Sequence, residues 1–321
     1  MINQLKTGLA AALFGAFAFA PAQAADFPAK PITIIVGFVA GGGQDTIARA
    51  YARALEVEFD LRTAVVNMPG ASSMISAKYV NESTPDGYVV WLGSAGTLIL
   101  QHQSGKTDVD IFEDYKIAGF LGEVVPALVV PAESELQSVD DLVAMAKANP
   151  GQLRWAHPGV GSAFFWAEQG FVFANDMDTV PVPFSGGANA RNALIANQVD
   201  FGVLAESDAS TGAYEGKIRY LAAIASTREA LTSDDLATLT ELDVPFYEIR
   251  SPVGIMMSAD VPDDVYEYFV MATKTAAKSE TFNDIMTKAN SPVLYHSPDE
   301  ALEISKGIAE NSKIVLPSLK E

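Results

Sequence analysis

The sequence predicts an α/β protein built as two doubly wound lobes, and three observations predict it. Apolar β-rich runs alternate with segments of helical period along most of the chain, the pattern of largely parallel sheets. A complete β-α-β series stands on each side of a break near residues 123–126, and a buried strand returns at Val253. Four turns that follow strands bear glycine, three of them together with small hydroxyl residues. With 321 residues, 49% of them apolar, the chain has material for two cores.

The elements follow in order. Met1–Lys6 carries one positive charge, Gly8–Ala20 is an unbroken run of small and apolar residues, and Ala22-Gln23-Ala24 has the small-x-small form of a signal-peptidase site. Residues 1–24 therefore read as a secretory signal cleaved after Ala24, since the run falls short of the roughly 20 residues a spanning helix needs. Next, Ile32–Val36 reads as a buried strand, Gly37–Gln44 as a glycine-rich turn, and Asp45–Phe59 as a helix. Its buried stripe is Ile47, Ala50, Tyr51, Ala54 and Leu55, three and four residues apart. Thr63–Val66, Ser73–Glu82 and Tyr88–Leu92 continue as strand, helix and strand. Between Thr97 and Glu123 the pattern assigns no element.

Past the break, Val124–Val130 reads as a strand, and Ser138-Val139-Asp140-Asp141 as a capping box opening a helix that Asn149-Pro150-Gly151 ends. Strands are expected at Leu153–Ala156, Val180–Phe184, Val199–Ala205 and Arg219–Ala225, with helices over Ser162–Asn175 and Ala188–Asn197. A polar stretch runs from Ser226 to Asp243, Val253–Ser258 is one more strand, and the chain is helical from Pro262 onward. These boundaries give residues 25–124 plus 227–321 to lobe 1 and residues 125–226 to lobe 2.

Composition narrows the function. Acidic residues outnumber basic ones 40 to 21, a formal net charge of −19 that becomes −20 when Lys6 leaves with the signal. A surface that grips phosphate backbones needs clustered Lys and Arg, so no nucleic-acid partner is expected. Without cysteine there is no disulfide, thiolate metal site or catalytic Cys, and His102, His157 and His296 lie far apart. No P-loop, dinucleotide fingerprint or Gly-x-Ser-x-Gly elbow is present. No catalytic residue, metal site or cofactor is expected.

The four turns are Ala40-Gly41-Gly42-Gly43-Gln44-Asp45, Gly93-Ser94-Ala95-Gly96-Thr97, Pro158-Gly159-Val160-Gly161-Ser162 and Phe184-Ser185-Gly186-Gly187-Ala188. At least three of them open a helix. Free N–H groups at a helix start, with the helix dipole, bind anions without any basic side chain, each dipole contributing about 0.3 to 1 kcal/mol. In such sheets these turns gather at the carboxyl edge of the strands. Four of them, split between the halves, point to a shared anion site.

Several stretches, in order, resemble the Bug, or TctC-like, family of periplasmic receptors of tripartite tricarboxylate transporters. They include Phe27–Ile32, Val36–Gly42 with Asp45 and Ala48-Arg49, Asn67–Ala71, Pro85–Tyr88 and Leu92–Ser94. Ala148–Gly151, Gly159–Ser162, Ser185–Ala188 and Gln198–Phe201 complete the series. The resemblance implies a two-lobed periplasmic binding protein, a type II Venus flytrap whose lobes close on a hinge over a small carboxylate. Carried over by position, Phe38, Ala40, Gly41, Gly42 and Asp45 form one wall of the site, with Ser94, Gly96 and Thr97 beside it. Gly161, Ser162, Ser185, Gly186 and Gly187 face them from lobe 2. The chain departs from the family pattern at Ser72-Ser73, Phe184 and Pro252-Val253, and Arg250 is a replacement positive charge or else a surface or hinge salt bridge.

The expected protein is thus a monomeric periplasmic receptor that captures a di- or tricarboxylate and hands it to integral membrane transporter subunits. Two alternatives stay open. A receptor for an amino acid or other small solute needs a pocket carboxylate for the α-amino group, with Asp45 or Glu206 the first to test. A periplasmic enzyme needs a titrating residue poised near neutral pH.

Overall fold

The computed structural model describes residues 27–205 and 216–318. The signal-like segment and Glu206 lie outside the described residues.

In the first lobe, β1 (Ile32–Val36), α1 (Gly43–Phe59), β2 (Thr63–Asn67), α2 (Met74–Asn81) and β3 (Val89–Ser94) follow the expected alternation. Then come α3 (Ala95–Gln103), a single turn α4 (Ile111–Asp114) and β4 (Tyr115–Glu123), none of which the sequence pattern assigned. Their burial explains why. All of α3 from Ala95 to Gln101 is buried, so no polar stripe marks a helical period, and β4 is buried over nearly its whole length, so no alternation marks a strand.

The second lobe holds β5 (Pro126–Pro131), α5 (Val139–Ala148), β6 (Arg154–His157), α6 (Ala163–Ala174), β7 (Val180–Pro183), α7 (Gly187–Ile195), β8 (Phe201–Ala205) and β9 (Ile218–Ala223). The chain then returns as β10 (Pro252–Ser258) and ends in α8 (Asp263–Lys278), α9 (Glu280–Lys288) and α10 (Pro298–Val315).

Two five-stranded sheets result, ordered β2-β1-β3-β10-β4 and β7-β6-β8-β5-β9. They are mixed rather than largely parallel. β10 runs antiparallel to both β3 and β4, and β5 runs antiparallel to both β8 and β9. Each antiparallel strand is the one that follows a crossover between lobes, because a chain arriving from the other lobe enters its sheet from the opposite end. The crossovers lie side by side: the Val124 N–H donates to the Ser251 carbonyl at 3.2 Å.

Helices cover both faces of each sheet. In the first lobe, Ile47, Tyr51 and Leu55 of α1 pack with Phe269 and Phe282 against Ile34 and Ile255. The Tyr51 hydroxyl, buried in this core, pairs with Thr273 Oγ1 at 3.1 Å, so its polar end is satisfied. In the second lobe, Trp155, Phe165, Trp166, Phe171 and Phe201 form an aromatic core.

Two expectations are corrected here. Ser138 Oγ caps α5 by accepting the Asp141 N–H at 3.1 Å, but Asp141 Oδ2 reaches one residue further back, to the Gln137 N–H at 3.0 Å, rather than closing a box on Ser138. The segment after residue 226, expected to rejoin lobe 1, stays on the second sheet: Thr238 bridges Ala223, and Leu236, Leu239 and Ile249 are buried in that lobe's cores. Its sparse apolar residues hold it there without regular structure.

Candidate functional site

All four glycine-bearing turns open a helix, at the starts of α1, α3, α6 and α7, but they end in two different ways. Ser94 Oγ accepts the Thr97 N–H at 3.2 Å and Ser162 Oγ accepts the Phe165 N–H at 3.3 Å, so α3 and α6 are capped by their own side chains. The residues in the cap position of α1 and α7 are Gly42 and Gly186, and neither supplies a side-chain hydrogen bond. The first-turn amides of α1 and α7 are therefore left for another acceptor.

These two uncapped starts open on the same cavity, of about 100 Å³, from opposite lobes. Gly42, Gly43 and Gln44 line it from the first lobe, and Gly186 and Gly187 from the second. Phe38, Thr97, Ser162 and Phe164 close its sides, and Val124 and Ser251 of the crossovers form its hinge side. Among the described residues, no Lys, Arg, His, Asp or Glu lines it. Its polar surface is backbone amide, three hydroxyls and the amide of Gln44, which is 8% exposed and whose Oε1 has no hydrogen-bond partner.

Of the residues singled out from sequence, Phe38, Gly42, Thr97, Ser162, Gly186 and Gly187 are brought together around this cavity. The others stand behind or beside it. Asp45 is 4% exposed and fully engaged: Oδ2 accepts the Gly41 N–H at 3.0 Å and Arg49 Nε at 2.8 Å, and Oδ1 accepts Asn67 Nδ2 at 3.0 Å. Burial alone would raise its pKa, but the bonds from Arg49, Gly41 and Asn67 outweigh it and hold the carboxyl below the usual range. Asp45 thus shapes the turn in front of α1.

Ser94 is fully buried, its hydroxyl shared with Ser251 at 3.1 Å. Gly96 lets α3 approach the chain before β10, since a Cβ there would lie 2.2 Å from the Arg250 carbonyl. Ala40, Gly41 and Ser185 are exposed. The Gly161 carbonyl accepts Gln101 Nε2 at 2.9 Å, and the residue borders a separate cavity. Arg250 is a hinge salt bridge: its Nε lies 3.0 and 3.1 Å from the two carboxylate oxygens of Glu123.

Sequence reasoning missed Gln44, Phe164, Val124 and Ser251 as wall residues. Gln44 stood in a turn already singled out, whereas Val124 and Ser251 meet only because two distant crossovers pair, which no local pattern signals. The three histidines stay apart, and no group of His, Asp and Glu among the described residues could hold a metal ion. Among the described residues, no helix is long and apolar enough to cross a membrane.

Comparison with known proteins gives a consistent result. The family model described as tripartite tricarboxylate transporter family receptor matches residues 47–317. The "UPF0065 protein in gbd 5′region" of Cupriavidus necator is 25% identical over 305 residues, covering 94% of this chain and 90% of that protein. Protein BugT of Bordetella pertussis is 28% identical over 241 residues, 74% of this chain and 73% of that one. Among solved structures, malate-bound MatC from Rhodopseudomonas palustris superposes with a TM-score of 0.81 at 22% identity, over 90% of this chain and 100% of that one. An adipate-bound protein from the same organism gives 0.80 at 22% identity, over 91% and 98%. Both share the two-lobed α/β fold.

Proposed function

The chain belongs to the tripartite tricarboxylate transporter receptor family, a family of solute-binding receptors, and from that premise we propose that it captures a small dicarboxylate or tricarboxylate of about four to six carbons between its lobes. The observation that carries this reading is the pair of uncapped helix starts, α1 and α7, opening on one cavity from opposite lobes. A ligand with an anionic group at each end offers acceptors to both sets of amides, and each dipole contributes about 0.3 to 1 kcal/mol, more when partly buried. Phe38, Phe164 and Val124 suit the short apolar middle of such an acid. The serine, threonine and Gln44 groups suit its hydroxyls or remaining oxygens.

The engagement of Asp45 favours a carboxylate over an amino acid, because its oxygens already serve Gly41, Arg49 and Asn67. Among the described residues the lining is uncharged, which favours binding over catalysis, since general acid or base chemistry needs a titrating side chain at the ligand. That relatives of the same fold hold malate and adipate supports the acid class. In this reading the signal-like segment sends the protein to the periplasm. The lobes, with limits at 123–126 and 249–252, rotate about the paired crossovers, and the loaded form delivers its acid to membrane transporter subunits.

A thermal-shift and calorimetry panel tests the proposal, with succinate, malate, citrate and adipate set against amino acids and neutral sugars. Ligand at a hundred times its dissociation constant should stabilise the fold by about 2.7 kcal/mol. A response to a sugar or amino acid with none to any acid overturns it.

A further inference from the structure

Asn67, the last residue of β2, is not part of the cavity wall, yet its side chain reaches the turn in front of α1. Register places it there: Asn67 pairs with Val36 at the end of β1, and the next residue, Met68, donates its N–H to the Val36 carbonyl at 2.8 Å. Asn67 Nδ2 donates to the Phe38 carbonyl and to Asp45 Oδ1, both at 3.0 Å, and Asn67 Oδ1 accepts Arg49 Nη2 at 3.4 Å. Arg49 Nε donates to Asp45 Oδ2 at 2.8 Å, which closes a triangle of Asp45, Arg49 and Asn67. Both ends of the Asn67 amide are used. Only one orientation of that amide fits, because a flip would set its oxygen against a carbonyl and a carboxylate.

This triangle holds the turn. Among the described residues, the backbone of residues 38–41 is hydrogen-bonded at two points, the Phe38 carbonyl to Asn67 and the Gly41 N–H to Asp45. Val39, 57% exposed, and the exposed Ala40 lie between them and add little packing. The two points flank what the cavity uses: Phe38 forms one of its sides, and Gly42, next to Gly41, opens α1. The triangle also matters electrically. Asp45 stands in the first turn of α1, where its charge competes with a bound anion for the helix dipole, and Arg49 offsets that charge at contact distance.

We propose that Asn67 is a positioning residue of the acid site: it holds the Phe38 wall and the start of α1 in register with each other, and so sets affinity for an acid that it does not touch. The proposal rests on the reading of the glycine-turn cavity as a carboxylate site. Hydrogen bonds weaken steeply as the donor angle leaves the line to the acceptor, so a turn released at Phe38 and Gly41 presents the same amides to less effect. Asn67 acts from a different strand, through two side chains that are themselves fixed, Asp45 by burial and Arg49 by its bond to Asp45.

Calorimetric titration of the parent, Asn67→Ala and Asn67→Asp with succinate, malate, citrate and adipate tests it, alongside NMR order parameters for residues 38–41 in the free proteins. The best-bound acid should lose about tenfold in affinity at pH 8 in both variants, and the order parameters should fall from about 0.85 to below about 0.6. In Asn67→Asp the loss should shrink as pH falls from 8 to 5. Two carboxylates so close share a proton, and that proton restores the bond between positions 67 and 45. Asn67→Ala should show no such recovery, and comparison with the parent at each pH cancels the acid's own titration. The charged groups facing position 67 are Asp45 and Arg49 of α1; the end of β1, the turn 37–41 and residues 68–73 hold no titratable side chain. Affinities within twofold of the parent in both variants overturn the proposal, as does a deficit in Asn67→Asp that is equal at pH 8 and pH 5. A parent that binds none of the four acids defeats the carboxylate reading instead, and order parameters unchanged in the variants then overturn the role of Asn67 in holding the turn.

Discussion

Thr97 Oγ1 of the first lobe accepts the backbone N–H of Ala163, the first residue of α6 in the second lobe, at 3.2 Å. The lobes are therefore joined by a side chain of one and the helix start of the other. Gln101 Nε2 repeats the motif one turn later on the Gly161 carbonyl at 2.9 Å, and Ser72 Oγ donates to the Val160 carbonyl at 2.8 Å.

Weakening this seam should weaken ligand binding without unfolding either lobe. Thr97→Val keeps the shape and removes the acceptor, leaving a buried N–H unpaired in the joined form at about 1 to 3 kcal/mol. Thr97 also lines the first cavity, so Gln101→Leu, which does not, is the cleaner variant. Both should lower calorimetric affinity for the acid by about tenfold and shift solution scattering with ligand toward a more open envelope. Unchanged affinity in both would mean that the seam contributes nothing to closure.

The uncapped glycines give a sharper test of a backbone cradle. A Cβ at Gly42 would meet only the Val39 carbonyl, at 3.7 Å, and the backbone there, at φ −87, is ordinary for alanine. Gly42→Ala should therefore keep the melting temperature of the free protein while reducing acid affinity about tenfold. Gly186 has φ +90, so Gly186→Val adds roughly 1 to 2 kcal/mol of strain as well as bulk and should lose more. Normal binding by both variants would sink the cradle.

The hinge pair predicts a stability effect. Glu123 is 6% exposed, and Arg250 is its partner across the two crossovers. Arg250→Ala strands that carboxylate, and urea unfolding should show a loss of about 3 kcal/mol, near the low end for a buried pair because the Arg250 side chain is 28% exposed. Arg250→Met combined with Glu123→Leu should recover most of it. A single variant as stable as the parent would show that the pair contributes little.

The parts of this molecule that could be read from sequence are those with local punctuation. A glycine-bearing turn directly after a strand marks a helix start at each of the four places where the sequence singles one out. The alternation of apolar strands with the stripe of Ile47, Tyr51 and Leu55 identified the α/β class. What stayed hidden depends on distance in the chain. α3 and β4 are buried on all sides and lose their period. The antiparallel sense of β5 and β10 follows from crossovers that sequence cannot orient. Ser94, Asp45 and Gly96 sat in the right turns, but only the fold shows that each supports the turn from behind while Gln44 and Ser251 face the cavity.

Glu168 closes the set with a dependence on pH. It lies on α6, fully buried, with neither carboxylate oxygen hydrogen-bonded, and burial pushes its pKa up from 4.5 to about 8. The folded protein therefore holds a proton on this group across pH 4.5 to 8 that the unfolded chain releases. Its contribution is full below pH 4.5 and is lost as pH rises through 8. His157 acts in the opposite sense: with its pKa lowered from 6.5 to about 4, it costs stability only as pH falls below 6.5. Glu168→Gln removes the ionisation and nearly preserves volume. Melting curves at pH 5 should differ little between parent and variant, whereas at pH 9 the variant should melt several degrees higher. If instead the gap between them stays constant from pH 5 to 9, Glu168 keeps an ordinary carboxyl pKa and must reach water or an acceptor within α6's surroundings.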